Sequence, residues 1–207
     1  MFGKVTLAFL SAIALMTVFA QYSDAQEKGA DQVSMPPKTK LGAFVGTVGK
    51  VTVFDEETCS APLRMESNKS NGQIDCRAVV AYTPGHESSR LKGIRLDVSW
   101  DDRTKQSKSI FLDDEEIDGF INGLKYVLDA EERLKDERPE HYDVRYTSKD
   151  NFVVGFIKYK NVAKDEQNFY IHPEMGSYGI VAFYPTATHL KAFIQIISDS
   201  RANLAKR

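Results

Sequence analysis

The chain has 207 residues, 42% hydrophobic and 27% charged, with 27 basic and 29 acidic side chains and a net charge of −2. That is the make-up of an ordinary globular protein, large enough for one domain or two small halves sharing a core. It excludes both the basic excess of a typical nucleic-acid binder and the acidic excess of a disordered chain.

The chain begins "MFGKVTLAFLSAIALMTVFAQYSDAQ". Lys4 supplies a short positive start, Val5 to Phe19 carries no charge, and small residues at Ser23 and Ala25 frame a cleavage site. Residues 1–25 are therefore expected to be a secretory signal peptide cut after Ala25, with Ala20 the alternative. The apolar run is shorter than the ~20 residues that span a bilayer, and no later run is long enough. The expectation is an exported protein, periplasmic or extracellular, with no membrane span after cleavage. Residues 26–40, with Pro36-Pro37 and no periodicity, are expected to be a flexible leader. Residues 41–206 are then a single domain, with halves at about 41–136 and 141–206.

The first half opens with "FVGTVGKVTVF", rich in Val and Thr and expected to be a strand bent at Gly46 and Gly49. A long polar loop is expected from Asp55 to Gly72. "QIDCRAVVAY" and "GIRLDVSW" alternate apolar and polar residues with the period of half-buried strands, and "SIFL" reads as a fourth. A helix follows from about Asp114 to Leu134, with Ile117, Phe120, Ile121, Leu124, Val127, Leu128 and Leu134 on one stripe. The second half repeats the order. "YDVRYT", "FVVGFIKY", "QNFYIH" and "YGIVAFY" read as strands, and a helix covers Ala187 to Leu204. Short connections make the sheets antiparallel. The predicted fold is α+β, with antiparallel sheets, two covering helices and the order four strands, helix, four strands, helix. The spacing of Ile117, Phe120, Ile121 and Leu124 recurs in Leu190, Phe193, Ile194 and Ile197, which suggests an internal pseudo-repeat.

Cys59 and Cys76 are the only cysteines. In an oxidising compartment such a pair is expected to form one disulfide, because zinc sites of this kind show C-x-x-C spacing and four ligands. Asp113, Asp114, Glu115, Glu116 and Asp118 crowd the start of the first helix. Asp113 with Glu116 three residues on is the layout of a capping box, with Leu112 and Ile117 as the hydrophobic staple. A calcium loop fails on spacing, since Ile117 and Lys125 stand where oxygen ligands belong. Weak cation binding to the outward carboxylates is the alternative. His86, His141, His172 and His189 are isolated, and no G-x-S-x-G elbow or phosphate loop is present. Asn68-Lys69-Ser70 is a formal glycosylation triplet. Aromatics from Tyr142 to Tyr184 load the second sheet, as core or as a ligand-binding face.

"FLDDEEIDGFINGLKYVL", "YDVRYTSKDNFVVGFIKY" and "HLKAFIQIISDSRANL" together resemble a widespread family of exported bacterial proteins without an assigned function. Its members show (Y/I)-L-D-x-D-E-(I/L) leading into an amphipathic helix, then a Y-x-(T/S)-K-x-x-F hairpin and a closing helix. This chain departs at Glu115-Glu116 and in the longer charged link from Glu131 to Glu140. The resemblance implies export and a β-plus-helix layout, and it supplies no catalytic residues. The doubled order of strands and helix also resembles the Whirly and PUR-type single-strand-binding fold, an analogy of fold alone. The expected function is a non-enzymatic exported module that binds a protein or a small molecule, without cofactor, metal or nucleic acid. The alternative is a secreted hydrolase whose site the sequence does not reveal, and after it, by fold analogy alone, a single-stranded nucleic-acid binder.

Overall fold

The computed structural model describes residues 38–66, 71–101, 105–137, 140–160, 165–173 and 182–207, all within the compact unit Pro37–Arg207. The signal peptide, the leader up to residue 37 and the Asn68 triplet lie outside the described residues. The elements run α1 (Lys40–Val45), β1 (Val53–Thr58), β2 (Leu63–Glu66), β3 (Asn71–Tyr82), β4 (Leu91–Asp101), β5 (Lys105–Asp113), α2 (Asp114–Arg133), β6 (His141–Thr147), β7 (Val153–Lys160), β8 (Asp165–His172) and α3 (Ala187–Leu204). The class is α+β with two antiparallel sheets, as expected.

The first sheet has five strands. β1 and β2 share one edge of β3, and β4 and β5 follow on the other side. Register rows such as Cys76–Leu96–Ile110 and Ala78–Ile94–Leu112 stack apolar side chains on one face. The second sheet is the meander β6-β7-β8. Phe183 adds an isolated bridge to Ile171, with both amide bonds at 2.9 Å. Helix α2 packs against strands of both sheets, and α3 packs against α2 and the first sheet. One core cluster joins these layers, from Ile74 and Leu96 through Phe120 and Leu124 to Phe156, Phe193 and Ile197. Its centre is an aromatic knot in which Phe120 lies 5.6–6.1 Å from the rings of Tyr146, Phe152 and Phe193. Gly123 lets α2 approach this knot, since a methyl there would overlap the Tyr146 ring.

Three expectations need correction. Residues 44–52 are not strand. Lys40–Val45 is a helix, its Thr39 cap accepts from Gly42 N–H at 3.1 Å, and Val53 begins the first strand. Thr39 is 1% exposed, so the last residues of the expected leader are part of the fold. The expected loop from Asp55 to Gly72 contains most of β1 and all of β2, a strand too short to show a period. Among the described residues the strands form a five-stranded sheet and a three-stranded meander. Residues 178–181 of the expected last strand lie outside the described residues.

Candidate functional site

The carboxylates at the start of α2 reach three distant segments. Asp113 occupies the N-cap position, with extended backbone at φ −67° and ψ 152°, but its side chain makes no bond to its own helix. The expected capping box at Asp113 and Glu116 is therefore not built. Asp113 is 3% exposed, and its oxygens accept the amides of Lys40 and Leu41, both at 3.0 Å. These are the first-turn donors of α1, which would otherwise be orphaned. Thr39 takes the next one, so every early amide of this six-residue helix has a partner. A reciprocal capping box exists at α3 instead, where Thr186 and His189 exchange bonds at 3.2 and 3.3 Å.

Glu116 turns inward to the β6–β7 turn, where Oε1 accepts Lys149 N–H at 2.6 Å. Burial raises its pKa, opposed by the Lys149 amide and charge. The Lys149 ammonium lies 3.8 Å from Asp113 and 3.5 Å from Glu115, and Glu115 also pairs with Lys40 at 2.6 Å. Asp150 of the same turn accepts Phe111 N–H at 3.0 Å. Arg201 of α3 binds Asp114 at 2.5 Å and Asp118 at 3.4 Å. The cluster is a crosslink between elements. Among the described residues, no group of three or more His, Cys, Asp or Glu is arranged to hold a metal.

Cys59 stands just past β1 and Cys76 within β3, and the Cys76 sulfur lies 3.3 Å from Ser200 of α3, the neighbour of Arg201. The Cys59 amide donates to the Cys76 carbonyl at 3.1 Å, one step past the register pair Thr58–Arg77. Their side chains face each other on the core side of the first sheet. Both are free thiols, so the bond expected from the sequence is not formed in this structure.

The aromatics of the second sheet are mostly core. Phe152, Phe156, Phe169 and Phe183 are buried. Tyr170 lies flat over Gly155, and its hydroxyl donates to Asp143 at 2.5 Å. They do not form an open ligand face.

Concavity appears on the outer face of the first sheet, where sequence reasoning did not look. Helix α1 covers one end of that face through Leu41, Val79, Ala81 and Phe111. Beside it runs a cleft of about 520 Å³ lined by Val45, Phe54, Glu56, Arg77, Val79, Arg95 and Phe111. Arg77 and Arg95 are direct cross-strand partners. Like charges placed so repel unless bridged. Glu56 bridges them with one oxygen each, at 3.1 and 3.2 Å. Asp97 takes Arg95 Nε at 2.8 Å and Ser109 Oγ at 2.6 Å. Arg77 Nε is buried without a hydrogen-bond partner, with Asp97 at 3.7 Å. Comparison with family models, with curated proteins and with solved structures finds no match to this chain.

Proposed function

We propose that this chain is an exported, non-enzymatic binding domain whose ligand lies in the cleft beside α1. The observation that carries the reading is the pair of opposed arginines beside the exposed Phe54 and Val45. A sheet built for stability alone gains nothing from two guanidinium groups in one cross-strand pair. A cleft with an apolar body and a few placed polar groups is the usual form of a small-molecule site. The chemistry fits a ligand with an apolar part against Phe54 and Val45 and an acidic group at the arginines. Both Glu56 oxygens are held by guanidinium groups, so Glu56 is not a free general base. The charge-free run at Val5–Phe19 and the resemblance to exported proteins support secretion, cleavage after Ala25 and oxidation of Cys59 with Cys76.

The test uses anilinonaphthalene sulfonate, an anion on an apolar body. The mature protein should bind it saturably. Affinity should fall about tenfold or more, some 1.4 kcal/mol, in Val45→Trp, which fills the cleft from an exposed position, and in Arg77→Met. No binding to the wild type, or unchanged binding to both variants, overturns the assignment. N-terminal sequencing of exported material checks export, with Gln26 expected first.

A further inference from the structure

We infer that Cys59 and Cys76 form an ordered thiol–disulfide exchange site, in which Cys59 attacks an external disulfide and Cys76 resolves the adduct. This deepens the export reading, in which the pair is oxidised. It assigns a task to each sulfur.

Three observations separate the two. Cys59 follows the end of β1 and is partly exposed, while Cys76 sits mid-strand at 3% exposure. Only Cys59 can therefore meet an incoming disulfide. The two residues are also opposed across neighbouring antiparallel strands. Strand residues paired through such an amide bond typically have Cα atoms about 5.5 Å apart, inside the range a disulfide spans. Finally, Ser200 of α3 stands over the pair. Its hydroxyl donates to the Ile196 carbonyl at 2.7 Å, and its oxygen lies 3.3 Å from the Cys76 sulfur. The ionisation runs the same way. The Cys76 thiol donates to the Cys59 thiolate and brings its pKa down to about 6 against burial. Cys76 is pushed up by its bond to Cys59 and by burial. A thiolate at neutral pH with a protected neighbour is the arrangement of a nucleophile and its resolving partner.

The reaction has two balanced steps. The Cys59 thiolate forms a bond to one sulfur of R–S–S–R, and the other sulfur leaves with the electron pair as a thiolate. Cys76 then loses its proton to solvent and attacks the Cys59 sulfur. The Cys59–Cys76 bond forms, and the second R–S⁻ leaves. Two protein thiols are oxidised, and one external disulfide is reduced to two thiols.

The experiment treats the folded, reduced mature protein with oxidised glutathione, then quenches with an alkylating agent and reads intact mass and peptide maps. The wild type should lose two hydrogens and keep no glutathione. Cys76→Ser should keep one glutathione, on Cys59. Cys59→Ser should react about tenfold more slowly or worse, since the remaining Cys76 thiol is buried away from the incoming disulfide. Brief alkylation of the wild type needs no variant and should tag Cys59 first. Equal reaction of the two single variants, first tagging of Cys76, or a wild type that stops at the adduct overturns the ordered mechanism. A wild type that never closes the bond overturns the oxidised-pair reading itself.

Discussion

Replacing Asp113 separates two roles that predict different costs for asparagine. At an ordinary N-cap, Asn serves about as well as Asp, and Ala costs about 0.5–2 kcal/mol. Here the carboxylate accepts two amides of another helix, one on each oxygen. A hydrogen bond to a charged group is worth roughly 1.5–3 kcal/mol, and an amide left buried costs about 1–3 kcal/mol. The Leu41 amide is buried, while the Lys40 amide is only partly so and water can take it over. Loss of the Lys149 pair adds little, because that ammonium is half exposed. Asp113→Ala should therefore cost about 3–4 kcal/mol. Asp113→Asn keeps one acceptor but turns an NH₂ group toward the other amide, for about 2 kcal/mol. The assay is urea denaturation at constant slope, with hydrogen exchange at Leu41 as the local probe. Asp113→Asn within about 0.5 kcal/mol of wild type would refute the bridging account and restore the ordinary cap.

Gly155→Ala should cost about 1–3 kcal/mol by overpacking, because the new methyl meets the Tyr170 ring, and it should free the Tyr170 hydroxyl from Asp143. Denaturation together with tyrosine ultraviolet titration measures both effects, since burial and Asp143 raise the Tyr170 pKa in the wild type. Glu116→Gln tests the inward carboxylate. A raised native pKa makes the wild-type contribution full below the ordinary glutamate range and lost as pH rises through the native value. The glutamine variant should therefore gain on wild type between pH 4 and 7, and denaturation midpoints moving the other way would reject this. Asp113→Asn should also weaken the sulfonate probe's binding at a temperature where the variant is folded, because α1 carries Val45 at the cleft rim.

The long amphipathic segments were legible because their signals are local. The first helix was expected over 114–134 and observed over Asp114–Arg133, and the last agrees at both ends. Helix α1 was hidden because most of its stabilisation is remote. Six residues containing Gly42, Phe44 and Val45 make a poor isolated helix. It persists because Asp113, far along the chain, takes its amides. The cleft was hidden for a related reason. "IDCRAVV" and "IRLDVSW" place arginines on the polar face, but only the register pairing Arg77 with Arg95 makes them neighbours. The one available clue was the alternation of Asp75 with Arg77 and of Arg95 with Asp97 on those two faces.

The acidic stretch earns its density from this geometry. Hydrophobic burial is non-directional, so the shared core holds the layers together without fixing how each element sits. Hydrogen bonds to charge are directional and strong when sheltered. Asp113 and Glu116, the two buried carboxylates, go to backbone amides of α1 and of the β6–β7 turn. The exposed ones, Glu115 and Asp118, go to mobile lysine or arginine ends, where pairs are worth little. Removal of the outer pair should therefore be tolerated, while removal of the inner pair should release elements that the sequence places far apart. A cation site would ask the reverse, with several oxygens turned toward one point. The carboxylates instead bind amides and the cations Lys40, Lys149 and Arg201 of three distant segments, and that identifies the cluster as a fastening.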